Sequence, residues 1–232
     1  MWIDELLFSK ADRDFACEVW VPQKPIVVLG NSNQADLECD INHCEYLSIP
    51  ILKRAGGGGT VVLHDGCVVV SIGAWMKSSF RNDVYFESIN QVIALILSSA
   101  FNLPPILQRG ISDLAISEKK IAGTSLFRSK GYLLYQASIL IESKIDLIET
   151  CLLHPTKEPE YRQGKPHRAF IAGLNEFKPE LTTQEVVDSL RDNLQTNLKA
   201  ALKEELVSVD SNHLKWILRR ANSQPIGFET RQ

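Results

Sequence analysis

A run of four glycines, Gly56–Gly59, is the feature of the sequence that most directly indicates chemistry. Glycine loses more backbone entropy on folding than any other residue, so such a run is expected where the backbone approaches a ligand closely. Arg54 precedes the run and carries a fixed positive charge suited to phosphate. The combination indicates a cradle for the phosphate of a nucleotide or an acyl-adenylate. The alternative is a flexible glycine linker.

This loop differs from the common nucleotide-binding loops. A P-loop would end in Gly-Lys-Ser/Thr and open a helix, whereas the β-branched and extended segment Thr60–Leu63 follows the glycines here. No G-x-G-x-x-G follows a strand in a βαβ unit, so a dinucleotide-binding fold is not supported. The glycine loop is therefore predicted to join two strands.

A second candidate site is the pair of charges formed by Asp113 and Lys120. They lie on what the sequence predicts to be two short strands joined by a Ser-Glu-Lys turn. Lysine is a compact charge on a long stem, suited to reaching an acyl carbonyl and an α-phosphate together. Gly123 either allows a ligand to approach the backbone or relieves crowding. The alternative for Lys119 and Lys120 is a solvated charge pair on a hairpin.

A third stretch, Tyr132–Ile141, has a strong β-strand pattern. Gln136 and Ser138 share one of its faces because side chains alternate along a strand. Both are polar residues in a largely apolar strand. This face is therefore a candidate wall of a binding site.

These three segments resemble the lipoate–protein ligase A family, which shares a catalytic fold with biotin ligases. Lys53–Gly66 is similar to the family's R-x-x-G-G-G-x-V-x-H-D signature, and Gly110–Ser125 is similar to its N/S-D-L … K-[IV]-[AS]-G-[ST] element. The third stretch is similar to the family's H-G-[ST]-[IL]-L strand, with Gln136 and Ala137 where many members carry His and Gly. The three motifs occur in the family's order.

The resemblance implies an α/β (α+β) fold of the class II aminoacyl-tRNA-synthetase and biotin-ligase type, with a mixed, mainly antiparallel sheet flanked by helices. It also implies one catalytic domain over residues 1–232, with a core at about 1–175 and a helical C-terminal segment at about 180–222. A separate C-terminal accessory domain is not expected, so a separate accessory subunit is an open possibility.

The implied activity is an ATP-dependent ligase that converts lipoate or octanoate to the acyl-adenylate and transfers the acyl group to a lysine of a lipoyl carrier domain. The carriers would be 2-oxoacid dehydrogenase E2 subunits and the glycine cleavage H protein. Lys120 and Arg54 are the expected catalytic residues, and Asp113 would orient Lys120, the adenosine or Mg²⁺. The residues expected to bind ATP and lipoate (as lipoyl-AMP) are Arg54, Gly57, Gly58, Gly59, Thr60, Val61, His64, Ser112, Asp113, Lys120, Gly123, Thr124, Gln136 and Ser138.

Three other functions remain open. A biotin ligase would carry a G-R-G-R-x-x-R loop, which is missing. An ATP-independent octanoyl or lipoyl transferase would work through a cysteine thioester. In some relatives that cysteine lies before the motif lysine, and no cysteine lies between Arg109 and Lys120. A non-catalytic module that binds lipoyl-adenylate or the carrier is the third, although Arg54, Asp113 and Lys120 are retained.

Composition sets broad limits on partners. The net charge of −3 and the pI of about 6.0 give no electrostatic case for nucleic acid or an anionic membrane. No apolar run of about 20 residues is evident, and no signal peptide is recognisable, so a cytoplasmic location is expected. The five cysteines are expected to be reduced. Cys39, His43 and Cys44 are too few ligands for a zinc site.

The polar segment at 157–168 contains four Lys or Arg residues against two Glu. Arg162, Lys165 and Arg168 are predicted to dock the acidic carrier domain by charge complementarity, and the alternative is a solvated surface loop.

The sequence also predicts the other secondary-structure elements. Helices are expected at Asp4–Leu7, Tyr85–Phe101, about 182–202 and Asn212–Ala221, and a polar helix is expected after the turn Gly30–Gln34. Strands are expected at about 18–21, 25–29 and 49–53, and a strand through Cys67–Trp75 is expected to form a hairpin after the glycine loop.

Overall fold

Two β-sheets organise the residues that the computed structural model describes, which are 15–77, 82–129 and 131–206. A six-stranded sheet has the order β1-β5-β9-β8-β7-β6, with every neighbouring pair antiparallel. A three-stranded sheet has the order β3-β2-β4, in which β2 and β3 are parallel. The strands are β1 (Phe15–Trp20), β2 (Ile26–Leu29), β3 (Ile51–Lys53), β4 (Val61–Leu63), β5 (Cys67–Trp75), β6 (Ile106–Arg109), β7 (Asp113–Ile116), β8 (Lys119–Ser129) and β9 (Tyr132–Leu140).

Two long helices and several short ones flank the sheets. The α-helices are α1 (Ala35–Glu38), α2 (Ile41–Tyr46), α3 (Asn82–Phe101), α4 (Ile145–Cys151), α5 (His167–Phe170) and α6 (Thr183–Ala201), and 3₁₀ turns lie at Glu160–Arg162 and Leu174–Glu176. The predicted mixed, mainly antiparallel sheet with flanking helices is confirmed.

The long helices α3 and α6 cover one face of the larger sheet. Their apolar residues recur every three or four positions, as Ile89, Ile93 and Leu97 do in α3, and they pack with alternate residues of β5 and β9 in one core. A capping box between Thr182 and Glu185 starts α6 at the position where the sequence predicted this helix to begin. By length and composition α3 would also be able to cross a membrane, contrary to the sequence expectation, but it packs on the sheet as a core helix does.

The smaller sheet lies against the opposite face of the larger one. Val69 of β5 contacts Val28 and Leu63 of the smaller sheet in a separate apolar cluster, to which Trp20 adds its ring. Because β5 has one face on the helices and the other on this sheet, all nine of its residues are buried. The space between the two sheets is where the candidate site forms.

The predicted hairpin after the glycine loop is wrong. β4 pairs with β2, not with β5, and β5 belongs to the larger sheet. The tight turn at Asp65 and Gly66 carries the chain from one sheet to the other, so sequence proximity did not translate into pairing. The helices predicted at Asp4–Leu7 and Asn212–Ala221 lie outside the described residues.

Candidate functional site

A cavity lies between the two sheets, below the glycine loop. Its lining residues are Trp20, Val28, Arg54, Gly58, Gly59, Thr60, Val61, Leu63, Val69, Ser112, Asp113, Lys120, Gly123, Thr124, Ser125, Gln136, Ala137 and Ser138. All three sequence motifs therefore contribute to one cavity. Of the residues predicted to bind ATP and lipoate, Gly57 and His64 are the two that do not line it.

Arg54 holds the glycine loop in place through hydrogen bonds to its backbone. Its side chain is buried, and its guanidinium donates hydrogen bonds to the carbonyl oxygens of Gly57 at 2.7 Å and Gly59 at 2.8 Å, and to that of Val28 at 3.3 Å. Both of its terminal nitrogens therefore bind backbone carbonyls, while the residue also lines the cavity. This geometry gives Arg54 a role in holding the loop, and its direct contact with phosphate stays a prediction.

The turn that begins at Gly30 supports the same loop from a second side. A Cβ atom at Gly30 would lie 2.0 Å from the carbonyl oxygen of Gly58, so no other residue fits there without moving the loop. Gly58 itself has a φ of 97°, which favours glycine. The Asn33 amide donates to the Gly58 carbonyl at 3.3 Å and to the Thr60 hydroxyl at 3.2 Å. The loop is therefore a fixed structure, not a linker.

A buried carboxylate extends this network. The Thr60 hydroxyl donates to Glu38 at 3.1 Å, and Thr156 donates to the other oxygen of the same carboxylate at 2.9 Å. Glu38 was not predicted as a site residue, because a lone Glu on a short polar helix gives no signal in one sequence. It connects the glycine loop to the segment that follows α4, which is residues 152–172.

Lys120 and Asp113 form an ion pair in the cavity wall. The Lys120 Nζ lies 2.7 Å from Asp113 Oδ1, and the two side chains are 25% and 13% exposed. A β-bulge helps to place the lysine, because Leu114 and Ala115 of β7 pair with Ala122 and Lys120 of β8 and leave one residue of β8 unpaired. Bulges re-aim side chains in this way. The predicted pair is thus brought together, with its ammonium at the cavity.

The second oxygen of Asp113 is also engaged. Tyr161, which lies 48 positions further along the chain, donates its hydroxyl to Asp113 Oδ2 at 3.0 Å. Sequence reasoning missed this residue, because it lies in the polar segment that was predicted either to dock the carrier or to be a solvated surface loop. The Asp113 carboxylate therefore joins Tyr161 to Lys120.

Gly123 leaves the space that the Lys120 side chain occupies. A Cβ at this position would approach the Cε and Nζ atoms of Lys120 to 3.3 Å. The Gly123 carbonyl also accepts a hydrogen bond from Ser138 at 3.5 Å. The sequence left two roles for Gly123, close approach of a ligand or relief of crowding. The distances to Lys120 fit relief of crowding.

We expect Gly123→Ala to lower kcat by about tenfold, because the added methyl group would displace the ammonium of Lys120, the predicted catalytic residue, and so weaken its transition-state contacts. The melting temperature should change little, since the added methyl group meets the end of a flexible side chain. Steady-state kinetics and thermal unfolding measure both effects. Wild-type kcat would contradict the crowding argument.

His64 does not reach the cavity. The residue is fully buried, and its Nδ1 accepts a hydrogen bond from the Gly66 N–H at 3.1 Å in the turn between β4 and β5. Burial, followed by the nearby charge of Lys144, lowers the pKa of His64 to about 4, so the ring is neutral at pH 7. Its predicted role in binding ATP or lipoate is therefore replaced by a role in the turn.

The remaining polar residues lie on the walls. Thr124 donates its hydroxyl to the Ser112 carbonyl at 2.6 Å, which joins β8 to the residue before β7. Gln136 and Ser138 line the cavity from β9, as the two-residue strand period predicted. Gly57 is exposed on the outside of the loop, where its carbonyl accepts from Arg54.

No cysteine is among the described residues that line the cavity. The five cysteines are free thiols, and four of them are buried. Burial raises the pKa of each thiol, to about 12 for Cys17, Cys39, Cys44 and Cys67, and raises that of Cys151 as well. A protonated thiol is a poor nucleophile at neutral pH.

The described residues form no metal-ligand cluster of their own. They contain no group of three or more His, Cys, Asp or Glu side chains that would hold a metal. Both oxygens of Asp113 are engaged, one by Lys120 and one by Tyr161. These contacts favour the orienting role of Asp113 toward Lys120, and the contact with Mg²⁺ stays a prediction, because Mg²⁺ is commonly held by one carboxylate together with substrate phosphates.

The predicted docking residues have unequal positions. Arg162 is 5% exposed, its Nε donates to the Lys165 carbonyl at 3.0 Å, and its guanidinium lies 4.9 Å from the centre of the Phe170 ring. It is therefore a packing residue, and its predicted contact with a carrier is wrong. Lys165 is half-buried, and Arg168 is exposed but forms ion pairs with Asp146 and Glu149.

Residues 1–195 match the lipoyl protein ligase A/B catalytic domain, and the chain belongs to this family of enzymes of protein lipoylation. The chain is 26% identical over 191 residues to lipoate-protein ligase A of Blochmanniella pennsylvanica, a match that covers 80% of this chain and 54% of that protein. It is 23% identical to octanoyltransferase LipM of Carboxydothermus hydrogenoformans, with 94% and 93% of the two chains covered. Both kinds of enzyme are therefore relatives.

Solved structures share the fold. A bipartite lipoate protein ligase, studied with its E2 lipoyl domain from Thermoplasma acidophilum, superposes with a TM-score of 0.70 at 20% identity and covers 93% of this chain and 85% of that one. A lipoate-protein ligase A bound with ATP has a TM-score of 0.68 at 19% identity, with 93% and 87% covered. The architecture described above is thus that of lipoate ligases.

Proposed function

We propose that this protein is an ATP-dependent lipoate–protein ligase, which forms an acyl-adenylate from lipoate or octanoate and transfers the acyl group to a lysine of a lipoyl carrier domain. The observation that carries the proposal is the Lys120–Asp113 pair. It lies in the wall of the same cavity that the glycine loop lines. A positioned ammonium and a run of backbone N–H groups are what phosphoryl and acyl transfer require.

The cavity has an apolar part that suits an acyl chain. Trp20, Val28, Leu63 and Val69 come from four strands of the two sheets and form one cluster beside it. Small-molecule sites are commonly apolar with a few polar groups that fix orientation. The carboxyl end of the acid would then lie near Lys120, and the polar glycine loop would cover the nucleotide phosphate.

The proposed reaction has two half-reactions. In the first, the carboxylate of the acid attacks the α-phosphate of ATP and pyrophosphate leaves. Lys120 stabilises negative charge at the α-phosphate, and the loop that Arg54 braces supplies backbone donors. In the second, the carrier's lysine amine attacks the acyl carbonyl and AMP leaves. Lys120 then stabilises the carbonyl oxygen as it becomes negative, and Asp113 keeps the ammonium in place.

An octanoyltransferase is the second candidate, because the LipM relative is matched over nearly its whole length. Such an enzyme takes the acyl group from a donor through a thioester. The buried thiols and the absence of a cysteine among the described lining residues support the ligase instead.

One experiment separates the two candidates. The purified protein is incubated with an apo lipoyl domain and either ATP with free lipoate or octanoyl-acyl carrier protein without ATP, and the lipoyl domain is analysed by mass spectrometry. The ligase requires ATP and free acid for modification. Modification only from the acyl carrier protein would replace the proposal by the transferase.

The carrier partners are proposed to be E2 lipoyl domains and the glycine cleavage H protein. A relative from Thermoplasma acidophilum is named lipoate-protein ligase A subunit 1, so a separate accessory subunit is a further proposed partner. If the protein alone forms no adenylate, addition of candidate accessory domains to the incubation tests this requirement.

Charge reversal tests the docking surface that remains after Arg162 is excluded. We expect Lys165→Glu with Arg168→Glu to raise the KM for the carrier by about tenfold, because like charges would then face an acidic partner. Adenylate formation should be unchanged, since neither residue lines the cavity. Lys203→Glu, an exposed residue after α6, is the control. Equal loss of both half-reactions would rule out docking at this surface.

A further inference from the structure

Tyr161 is the one group, among the described contacts, that links the segment after α4 to the catalytic ion pair by a side-chain hydrogen bond. Its hydroxyl donates to Asp113 Oδ2 at 3.0 Å, while Asp113 Oδ1 lies 2.7 Å from the Lys120 Nζ. A carboxylate can turn about its terminal torsion, which is broad. Bonds to both oxygens fix that torsion, and with it the direction of the oxygen that faces the lysine.

The tyrosine is itself held firmly. It is 9% exposed, its ring lies 5.0 Å from that of Phe170, and the Arg109 guanidinium lies 5.3 Å from the ring centre. Burial raises the pKa of Tyr161, and the neighbouring Asp113 charge adds to this effect, so the hydroxyl keeps its proton and acts as a donor.

The segment around Tyr161 does not depend on this hydroxyl for its fold. Glu158 accepts from the Gly164 N–H at 2.7 Å and lies 3.3 Å from Arg162 Nε. The Ala172 N–H donates to the Lys120 carbonyl at 2.9 Å, which attaches the end of the segment to β8. Removal of one oxygen atom from Tyr161 therefore leaves the segment anchored.

We propose that Tyr161 is a positioning residue for Lys120, which acts by holding the Asp113 carboxylate in the orientation that directs the ammonium into the cavity. Its catalytic consequence rests on the proposed ligase function; its effect on the position of Lys120 does not. No motif contains this residue, and it reaches the site only through the folding of the segment after α4.

Tyr161→Phe tests the proposal in kinetics. We expect kcat for carrier modification to fall about tenfold, the change that follows loss of one hydrogen bond to a charged group. The KM values for lipoate and ATP should stay within about twofold, because the ring and the cavity lining are retained. In an Asp113→Asn background the same substitution should lower kcat by less than about twofold, since Tyr161 and Asp113 act as one unit. An unchanged kcat, or an equal loss in both backgrounds, overturns the proposal.

A second measurement does not depend on activity. Acetic anhydride labels lysine amines, and mass spectrometry gives the labelling rate of Lys120 relative to its neighbour Lys119 in the same peptide region. We expect this ratio to rise at least about twofold in Tyr161→Phe, because a carboxylate free to turn holds the ammonium less firmly. An unchanged ratio overturns the proposal. If the wild-type protein forms no adenylate even with candidate accessory domains added, the ligase proposal fails, and the labelling ratio still decides the role of Tyr161.

Discussion

Replacement of Lys120 by alanine should lower kcat by about a thousandfold while the protein remains folded. Arg54 and Lys120 are the cationic residues among the described lining of the cavity, and the Arg54 guanidinium donates to backbone carbonyls. The Lys120 ammonium does not, and it would stabilise negative charge in both half-reactions. Loss of a single positioned donor at a charged transition state costs on the order of 10²–10³ in rate, and here the same donor serves twice. Single-turnover measurements of adenylate formation and of acyl transfer give the two losses separately.

Lys119→Ala is the matched control for this substitution. Lys119 is the preceding residue of the same strand, but its ammonium lies 3.4 Å from the Arg168 carbonyl and does not line the cavity. We expect its kcat to stay within about twofold of the wild type, as for a surface substitution away from the site. Lys120→Ala with nearly normal turnover would refute the role of Lys120.

Replacement of Arg54 by methionine should cause the second largest loss, about a hundredfold in kcat/KM for ATP. The substitution keeps the aliphatic stem and leaves the carbonyls of Val28, Gly57 and Gly59 without the guanidinium that binds them. Hydrogen bonds to a charged group contribute about 1.5–3 kcal/mol each. The loop should therefore lose its fixed shape, which raises the entropy cost of binding the nucleotide.

Arg191→Met separates this effect from a general loss of stability. Arg191 of α6 also donates to a backbone carbonyl, that of Val19, at 2.9 Å, but it does not line the cavity. Both variants should have a lower melting temperature, and Arg54→Met alone should lose activity. If Arg54→Met and Arg191→Met had the same kcat/KM for ATP, the proposed role of Arg54 in holding the glycine loop would be contradicted.

Much of the site was predictable because its chemistry is concentrated in short motifs. The glycine run required a close approach of backbone, and Asp113 and Lys120 carry opposite charges on adjacent strands. All three segments line one cavity, as a single site requires. The long amphipathic helices α3 and α6 were equally clear, since their apolar residues repeat with the helical period.

The other parts of the site depend on contacts between distant residues. Gly30 is required only because Gly58 lies against it, and Tyr161 matters only because its segment folds back onto β8. The direction of the Arg54 guanidinium could not be predicted either, since a phosphate and a row of carbonyl oxygens attract the same donors. A bulge in β8 is similarly invisible in a strand pattern with a period of two.

The central claim is tested most directly by pyrophosphate release from ATP in the presence of Mg²⁺ and lipoate, without any carrier. The proposed ligase releases pyrophosphate only when lipoate or octanoate is present, and Lys120→Ala abolishes the release while Lys119→Ala retains it. Absence of acid-dependent release, with a folded protein and with candidate accessory domains added, would contradict adenylate formation at this site.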